Sequence, residues 1–296
     1  MINFIAFFIY LIGDNLKKKF IYVGVLFCFI LSLLTFTTLT RVNADKIDSQ
    51  NYLIVGLDKD NNISRSDVII LTNLNNKTNK INLISIPRDS LVNIPCGIKG
   101  TVNDKINHSY VYGESNWGEN KGIDCLVQTV TRLFEIPTIP YVIFDFESVK
   151  KTVDILNGVE ITPRISFNAL DSQGKKHVFQ KGKTILLDGE GALAFIRHRA
   201  SLPNQDLDRC NNQKDLMIGV MNKINSLNRM DKIKYGIKLF SLIKTNIKYD
   251  DVLPMIKLDL DKYEKNTYTL KGKSIYDKGY YYVLDKDYLK KIKSIL

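Results

Sequence analysis

Residues 51–89, NYLIVGLDKDNNISRSDVIILTNLNNKTNKINLISIPRD, constrain the fold more than any other stretch of this chain. They hold three apolar runs, residues 52–57, 68–74 and 81–86, rich in Ile, Leu and Val and divided by Asn, Asp, Ser and Lys. Each run is too short for a helix and is bounded by turn formers, so each predicts a buried strand. Acids and bases stand at the run ends: Asp58, Asp67, Arg88 and Asp89. Carboxylates and guanidiniums at the mouth of a sheet suit a divalent cation and a phosphorylated ligand. Ordinary solvated loop charges give the same residues, so the pattern alone does not choose.

Residues 20–39, FIYVGVLFCFILSLLTFTTL, carry no charge and are long enough to span a bilayer as a helix. Lys17, Lys18 and Lys19 precede them and predict a cytoplasmic N-terminus with everything after Leu39 outside the cell membrane. The competing reading is a cleaved signal peptide with Val42-Asn43-Ala44 as its site. The apolar run is longer than a usual signal core, which favours an uncleaved anchor. The shorter run at residues 2–12 reads as interfacial, within a cytoplasmic or interfacial segment 1–19. Residues 40–50 read as a polar linker, and residues 51–296 as one external domain with no second linker.

The formal net charge of +11 suits nucleic acid, an anionic membrane or an anionic polymer. An external location argues against nucleic acid and permits disulfides. Of four cysteines, Cys28 lies in the apolar run; Cys96, Cys125 and Cys210 remain, without the C-x-x-C spacing of a zinc site. A Cys96–Cys125 pair is open on sequence grounds.

Along the external domain, residues 90–120 form a long Gly-, Asn- and Ser-rich surface segment. Residues 122–135 place Ile123, Leu126, Val127, Val130, Leu133 and Phe134 on one helical face, stopped by Pro137. A strand at 141–144, a helix at 146–156 ending on Asn157-Gly158, and a strand at 159–165 follow. Residues 174–191 are turn-rich. Helices are expected at 206–225, 235–243 and 250–256, and a strand at 280–284.

Arg197 and Arg199 stand two apart. If residues 192–199 form a strand, both point to one face and His198 to the other. Their charges would lie roughly 7 Å apart and repel by about 2 kcal/mol at an effective dielectric near 20. Solvation, interposed carboxylates or a bridging anion would each relieve this. Arg209 and Gln213 stand four apart at the start of a predicted helix, with Asp206 one turn earlier as a candidate cap. A helix N-terminus favours phosphate, so Arg88, Arg197, Arg199 and Arg209 could converge on one highly charged ligand. Asp58 and Asp67 would supply carboxylates for Mg²⁺ or Mn²⁺. His108, His177 and His198 have no ligand spacing and read as structural.

The strings SRSDVIILTNL, ISIPRDS, KINHSY, ILNGVEI, LDGEGALAFIRHR and DLDRCNNQ, with a weaker IKTNIKYDDVLPMI, occur in that order from Asn51 onward. Together they resemble the LytR-CpsA-Psr (LCP) family of Gram-positive envelope proteins. The resemblance implies a three-layer α/β/α sandwich with a mixed central sheet behind one N-terminal transmembrane helix. It implies transfer of a glycopolymer, such as teichoic acid or capsule, from a polyprenyl-diphosphate carrier to peptidoglycan. The acceptor is the C6 hydroxyl of N-acetylmuramic acid and the product a phosphodiester. On this resemblance Asp58 and Asp67 hold the metal, while Arg88, Arg197, Arg199, Arg209 and Gln213 bind the diphosphate. Asp89 and Asp206 orient the arginines, and Asp58, Asp67, Arg88 and Arg199 are the catalytic set. The family often has an arginine soon after the first aspartate; here Lys59 follows Asp58, and Arg65 is the nearest candidate. A polyprenyl-diphosphate hydrolase and a non-catalytic assembly or attenuator protein are the alternative readings.

Overall fold

The three apolar runs form the centre of a six-stranded sheet. β1 (Ser49–Asp60), β2 (Ile63–Asn75) and β3 (Lys80–Ser85) pair as an antiparallel meander. The chain then forms a hairpin, β4 (Leu91–Gly97) and β5 (Gly100–Lys105), followed by helices α1 (His108–Tyr112) and α2 (Gly122–Phe134). β6 (Tyr141–Asp145) returns to the sheet parallel to β1 and leads into α3 (Phe146–Ile155). Short strands β7 (Val159–Ile161), β8 (Phe167–Leu170), β9 (Lys176–Phe179) and β10 (Ile185–Leu187) precede helices α4 (Gly189–Arg197), α5 (Asp206–Ser226) and α6 (Arg229–Phe240). β11 (Lys244–Thr245) and β12 (Glu264–Thr269) close the sheet in the order β11-β6-β1-β2-β3-β12. A hairpin of β13 (Gly272–Tyr276) and β14 (Tyr280–Leu284) and helix α7 (Lys286–Lys293) end the chain.

These elements come from a computed structural model that describes residues 49–60, 63–248, 251, 258–277 and 279–296. The expected anchor at 20–39, the run at 2–12 and most of the linker lie outside the described residues, as does all but Asp251 of the helix expected at 250–256. Among the described residues no helix is long and apolar enough to cross a membrane. Ser49 and Gln50, expected in the linker, already pair with Asn75 and Leu74 as the start of β1.

The sheet is mixed because β1 and β6, and β3 and β12, run parallel while β2 and β11 oppose their neighbours. Alternation along β1 and β2 distributes apolar residues to both faces, as a sheet covered on both sides requires. Leu53, Val55, Leu57, Ile69 and Leu71 pack with Ile123, Leu126, Val130 and Phe134 of α2 and Ile292 of α7. Ile70, Ile54 and Val68 pack instead with Met217, Ile218 and Met221 of α5. A further core around Phe167, Phe179 and Phe195 joins β7–β10 to α3, α4 and α5. Helices therefore flank a mixed sheet, in the sandwich arrangement the resemblance implies.

Three sequence expectations change. Residues 192–199 are not a strand. Asp188 accepts a hydrogen bond from the Gly191 N–H at 2.7 Å and caps α4, and Ala192, Phe195 and Ile196 are buried at helical spacing. The strand expected at 159–165 ends at Ile161. The 90–120 and 174–191 segments carry β4, β5, α1, β9 and β10, short elements that single-window periodicity does not register. Cys96 and Cys125, both fully buried, are joined by a disulfide with Cα atoms 6.0 Å apart, tying β4 to α2.

Candidate active site

The end of the sheet where β1, β3 and β6 finish and β2 begins gathers the charged residues. A bulge between Gly56 and Leu57 shapes it. Gly56 pairs with Val68 and Leu57 with Ser66, so Asp67 is the extra residue with no Cα partner on β1. Such a bulge re-aims a side chain out of the ladder. Glycine is needed at 56, because a Cβ there would stand 2.8 Å from the Val68 Cβ. β3 continues for one more ladder bond, Ile86 N–H to Ile69 O at 2.9 Å, and Pro87 then turns the chain so that Arg88 meets Asp67. The Arg88 Nη1 donates to Asp67 Oδ2 at 2.8 Å, and both side chains are three-quarters buried or more.

The second half comes from the α4–α5 corner. Asn212 Nδ2 donates to the Phe195 carbonyl at 3.1 Å and clamps the two helices. Between them, Leu202 N–H bonds the Arg199 carbonyl and Asp208 accepts from the Asn204 N–H, closing a tight loop. Asp206 opens α5 but does not cap it; Gln205 occupies the cap position without a side-chain bond. The Asp206 carboxylate lies instead 3.2 Å from Arg209 Nη2, 3.6 Å from Arg199 Nη1 and 4.0 Å from Arg88 Nε. Asp89 Oδ2 lies 3.7 Å from Arg88 Nε, and Asp89 Oδ1 is 2.8 Å from Lys105 Nζ. Gln213 is buried one turn beyond Arg209.

Arg88, Arg199 and Arg209, distant in sequence, thus share one carboxylate, with Asp67 and Asp89 beside them. Burial works against the Arg88 cation, but Asp67, Asp206 and Asp89 outweigh it and hold its pKa above the ordinary guanidinium value. The ion pairs leave hydrogen-bonding capacity unused: Asp67 Oδ1, Arg88 Nε, Asp206 Oδ1 and Arg209 Nε are buried without a hydrogen-bond partner. Unsatisfied buried groups are costly. Two arginine Nε–H donors among them mark a place for acceptor oxygens of an anion.

Arg197 and Arg65 stand apart from this cluster. Arg197 ends α4, is exposed and stacks on the Phe146 ring at 4.3 Å, beside a 350 Å³ cleft between α4 and the end of β8. Phe146 follows Asp145, which pairs with Leu57, so Arg197 borders the Asp58 end of β1 without joining the ion pairs. α4 ends at Arg197 and His198 is extended, so Arg199 leaves the helix for the α4–α5 loop while Arg197 stays on its last turn. Arg65 is exposed opposite Asp58 in the β1–β2 register. Asp58 is half-buried at the same sheet end. Lys105 was given no role by sequence, although it opens the KINHSY string; only the tertiary contact with Asp89 reveals it. The three histidines have structural partners, Asp104, Asp171 and Ser201.

Among the described residues no group of three or more His, Cys, Asp or Glu forms a cation site. Asp67 nevertheless keeps a buried, unpartnered Oδ1 while Oδ2 engages Arg88. One or two carboxylates completed by phosphate oxygens and water fit Mg²⁺.

Fold and site together define an α/β protein with a cluster of arginines and carboxylates at the end of a mixed sheet. The chain belongs to the LytR_cpsA_psr family, whose model matches residues 35–296. It is 32% identical over 257 residues to the polyisoprenyl-teichoic acid–peptidoglycan teichoic acid transferase TagU of Bacillus subtilis (strain 168), covering 85% of this chain and 78% of that one. Relatives of the same name from Bacillus licheniformis and Oceanobacillus iheyensis are each 33% identical, over 72% and 73% of this chain. The match spans under two thirds of those two relatives, 65% and 61%. Among solved structures, B. subtilis TagV superposes with a TM-score of 0.69 at 26% identity, over 84% of this chain and 96% of its own. TagT bound to LIIa-WTA gives 0.69 at 29%, over 86% and 91%.

Proposed function

We propose that this protein transfers a glycopolymer from a polyprenyl-diphosphate carrier to peptidoglycan, as the names of its relatives describe for them. The observation that carries the reading is the convergence of Arg88, Arg199 and Arg209 on Asp206 beside Asp67, with buried donors left unpaired. Three guanidiniums suit a diphosphate better than a single phosphate, because each offers a fork of donors.

In this proposal the acceptor is the C6 hydroxyl of N-acetylmuramic acid. Its oxygen attacks the phosphorus attached to the glycopolymer. The new P–O bond forms as the bond to the bridging oxygen breaks, and polyprenyl phosphate leaves with that electron pair. Arg88 and Arg209, fixed by Asp206 and Asp89, stabilise the charge on the departing phosphate, and Arg199 closes over it from the α4–α5 loop. Gln213 adds a neutral donor one turn along α5. Asp58 and Asp67 are the carboxylates that would hold Mg²⁺, and a bound Mg²⁺ would neutralise phosphate charge. The hydroxyl proton passes to an aspartate at this sheet end, Asp58 or Asp67. Arg197, at the end of α4, and Arg65, opposite Asp58, are the further candidates for the diphosphate oxygens. The polar residues 40–50 and the apolar run at 20–39 would hold the domain outside the cytoplasmic membrane, where such a carrier is embedded.

Purified full-length protein in lipid vesicles, given a lipid-diphosphate-linked polymer and peptidoglycan fragments, should form a polymer–peptidoglycan phosphodiester, and Arg199→Ala should abolish it. Turnover that is equal with and without the acceptor would identify a hydrolase. Full activity of Arg199→Ala would remove the arginine clamp from the reaction.

A further inference from the structure

The β13–β14 hairpin leaves the fold beside the arginine cluster and carries apolar side chains that are exposed among the described residues. Its second strand is fastened to the site: Tyr282 N–H donates to the Asp89 carbonyl at 2.9 Å, Ser90 bridges Tyr282, and the Tyr281 ring lies 5.8 Å from Lys105 Nζ. The register pairs Ile275 with Tyr281 and Tyr276 with Tyr280. Cβ alternation therefore sends Ile275 and Val283 to one face and Tyr276 and Tyr280 to the other. All four are exposed: Tyr276 by 72%, Tyr280 by 71%, Ile275 by 41% and Val283 by 39%. The two tyrosine rings pack edge to face at 5.1 Å.

A two-stranded ribbon that meets water on one side presents polar residues there. Here apolar or aromatic side chains are exposed on both faces, with exposed Lys273 and Ser274 among them and Asp277 in the turn, which suits insertion to the headgroup boundary rather than a face lying on a partner. Tyrosine favours the boundary between apolar chains and water, because its ring and hydroxyl prefer different sides. The surrounding charge is net positive. Residues 271–293 contain seven lysines against three aspartates, and Lys273, Lys286, Lys290 and Lys291 are exposed. Clustered lysine beside an aromatic tip complements an anionic lipid surface.

We propose that the β13–β14 tip dips into the headgroup region of an anionic bilayer and seats the Arg88–Arg199–Arg209 cluster at the depth of a lipid diphosphate. This rests on the reading of a lipid-linked substrate, but it concerns docking and is measured without turnover. Tyr281 and Tyr282 then transmit the position of the tip to Lys105 and Asp89.

The test uses the full chain reconstituted in vesicles. The sequence has one tryptophan, Trp117. A Trp117→Phe background carrying Tyr276→Trp, or separately Tyr280→Trp, reports from the tip; Met230→Trp, exposed on α6, is the comparison. With brominated acyl chains in phosphatidylglycerol vesicles, emission from either tip position should be quenched and shifted to the blue, and the Met230 position left unchanged. Quenching should fall when phosphatidylcholine replaces the anionic lipid. Unquenched tip tryptophans, or quenching equal at Met230, would overturn the proposal. Loss of transfer with quenching intact would count against the transferase reading alone.

Discussion

Replacing Arg88 tests the site at its centre, because this side chain touches the Asp67 half and the Asp206 half together. Its charge and that of Asp67 are centred about 4 Å apart, worth about 4 kcal/mol at an effective dielectric of 20. The two side chains are 24% and 20% exposed, so water screens part of this. Arg88→Ala also leaves Asp67, with one oxygen already unpartnered, near Asp89 and Asp206 without their shared cation. A net stability loss of about 2–3 kcal/mol follows, or a fall in melting temperature of about 5–10 °C for a domain of this size. Binding should suffer separately. A charge-assisted contact to a phosphate oxygen is worth about 1.5–3 kcal/mol, which is about 10- to 150-fold in Kd. Calorimetric titration with farnesyl diphosphate, run below the melting range of the variant, reads this directly. Arg88→Lys keeps the charge but not the fork, so it should recover more stability than affinity. An Arg88→Ala protein that binds farnesyl diphosphate as tightly as the parent would refute the assignment of this cluster to the diphosphate.

Three further outcomes are expected. Asp67→Asn should weaken Mg²⁺-dependent binding of farnesyl diphosphate more than binding in EDTA, since it removes a carboxylate charge while keeping an acceptor for Arg88; calorimetry with and without Mg²⁺ measures the difference. Cys125→Ser should cost about 3–4 kcal/mol in urea unfolding, the loop-closure value for a bridge spanning a sequence separation of 29, and a reducing agent should do the same to the parent but nothing to the variant. Lys214 is 1% exposed, donates to Tyr268 O and Thr269 Oγ1, and is brought down by burial to a pKa of about 8. The unfolded chain then binds more protons than the folded one above pH 8, so this group makes stability rise with pH. The gain should reach about 1 kcal/mol by pH 9; nearer pH 10, where the unfolded phenols ionise, Tyr52, Tyr110 and Tyr112, raised to about 12, reverse the trend. Urea melts of the parent and Lys214→Met at pH 7, 8 and 9 should show the rise only in the parent.

Much of this protein is written locally. The three opening strands, α2, α3 and the start of α5 follow from apolar spacing and turn residues, since burial of one face at a period of 2 or 3.6 leaves its mark in the string itself. Residue chemistry also names Arg88, Arg199, Arg209, Asp67 and Asp206 as candidates, but solvated charges at strand and helix ends look the same in the string, so it does not choose among them. Other features depend on contacts between distant segments. The Gly56–Leu57 bulge exists only in the pairing of two strands, and it makes Asp67 the residue left over. The helical form of residues 189–197 depends on the Asp188 cap and the phenylalanine core beneath it, and it parts Arg197 from Arg199. Lys105 joins the site only through Asp89, and Cys96 meets Cys125 only where β4 packs on α2. Sequence patterns report what a residue does for its own element; which charges share a carboxylate is set by where those elements end in space.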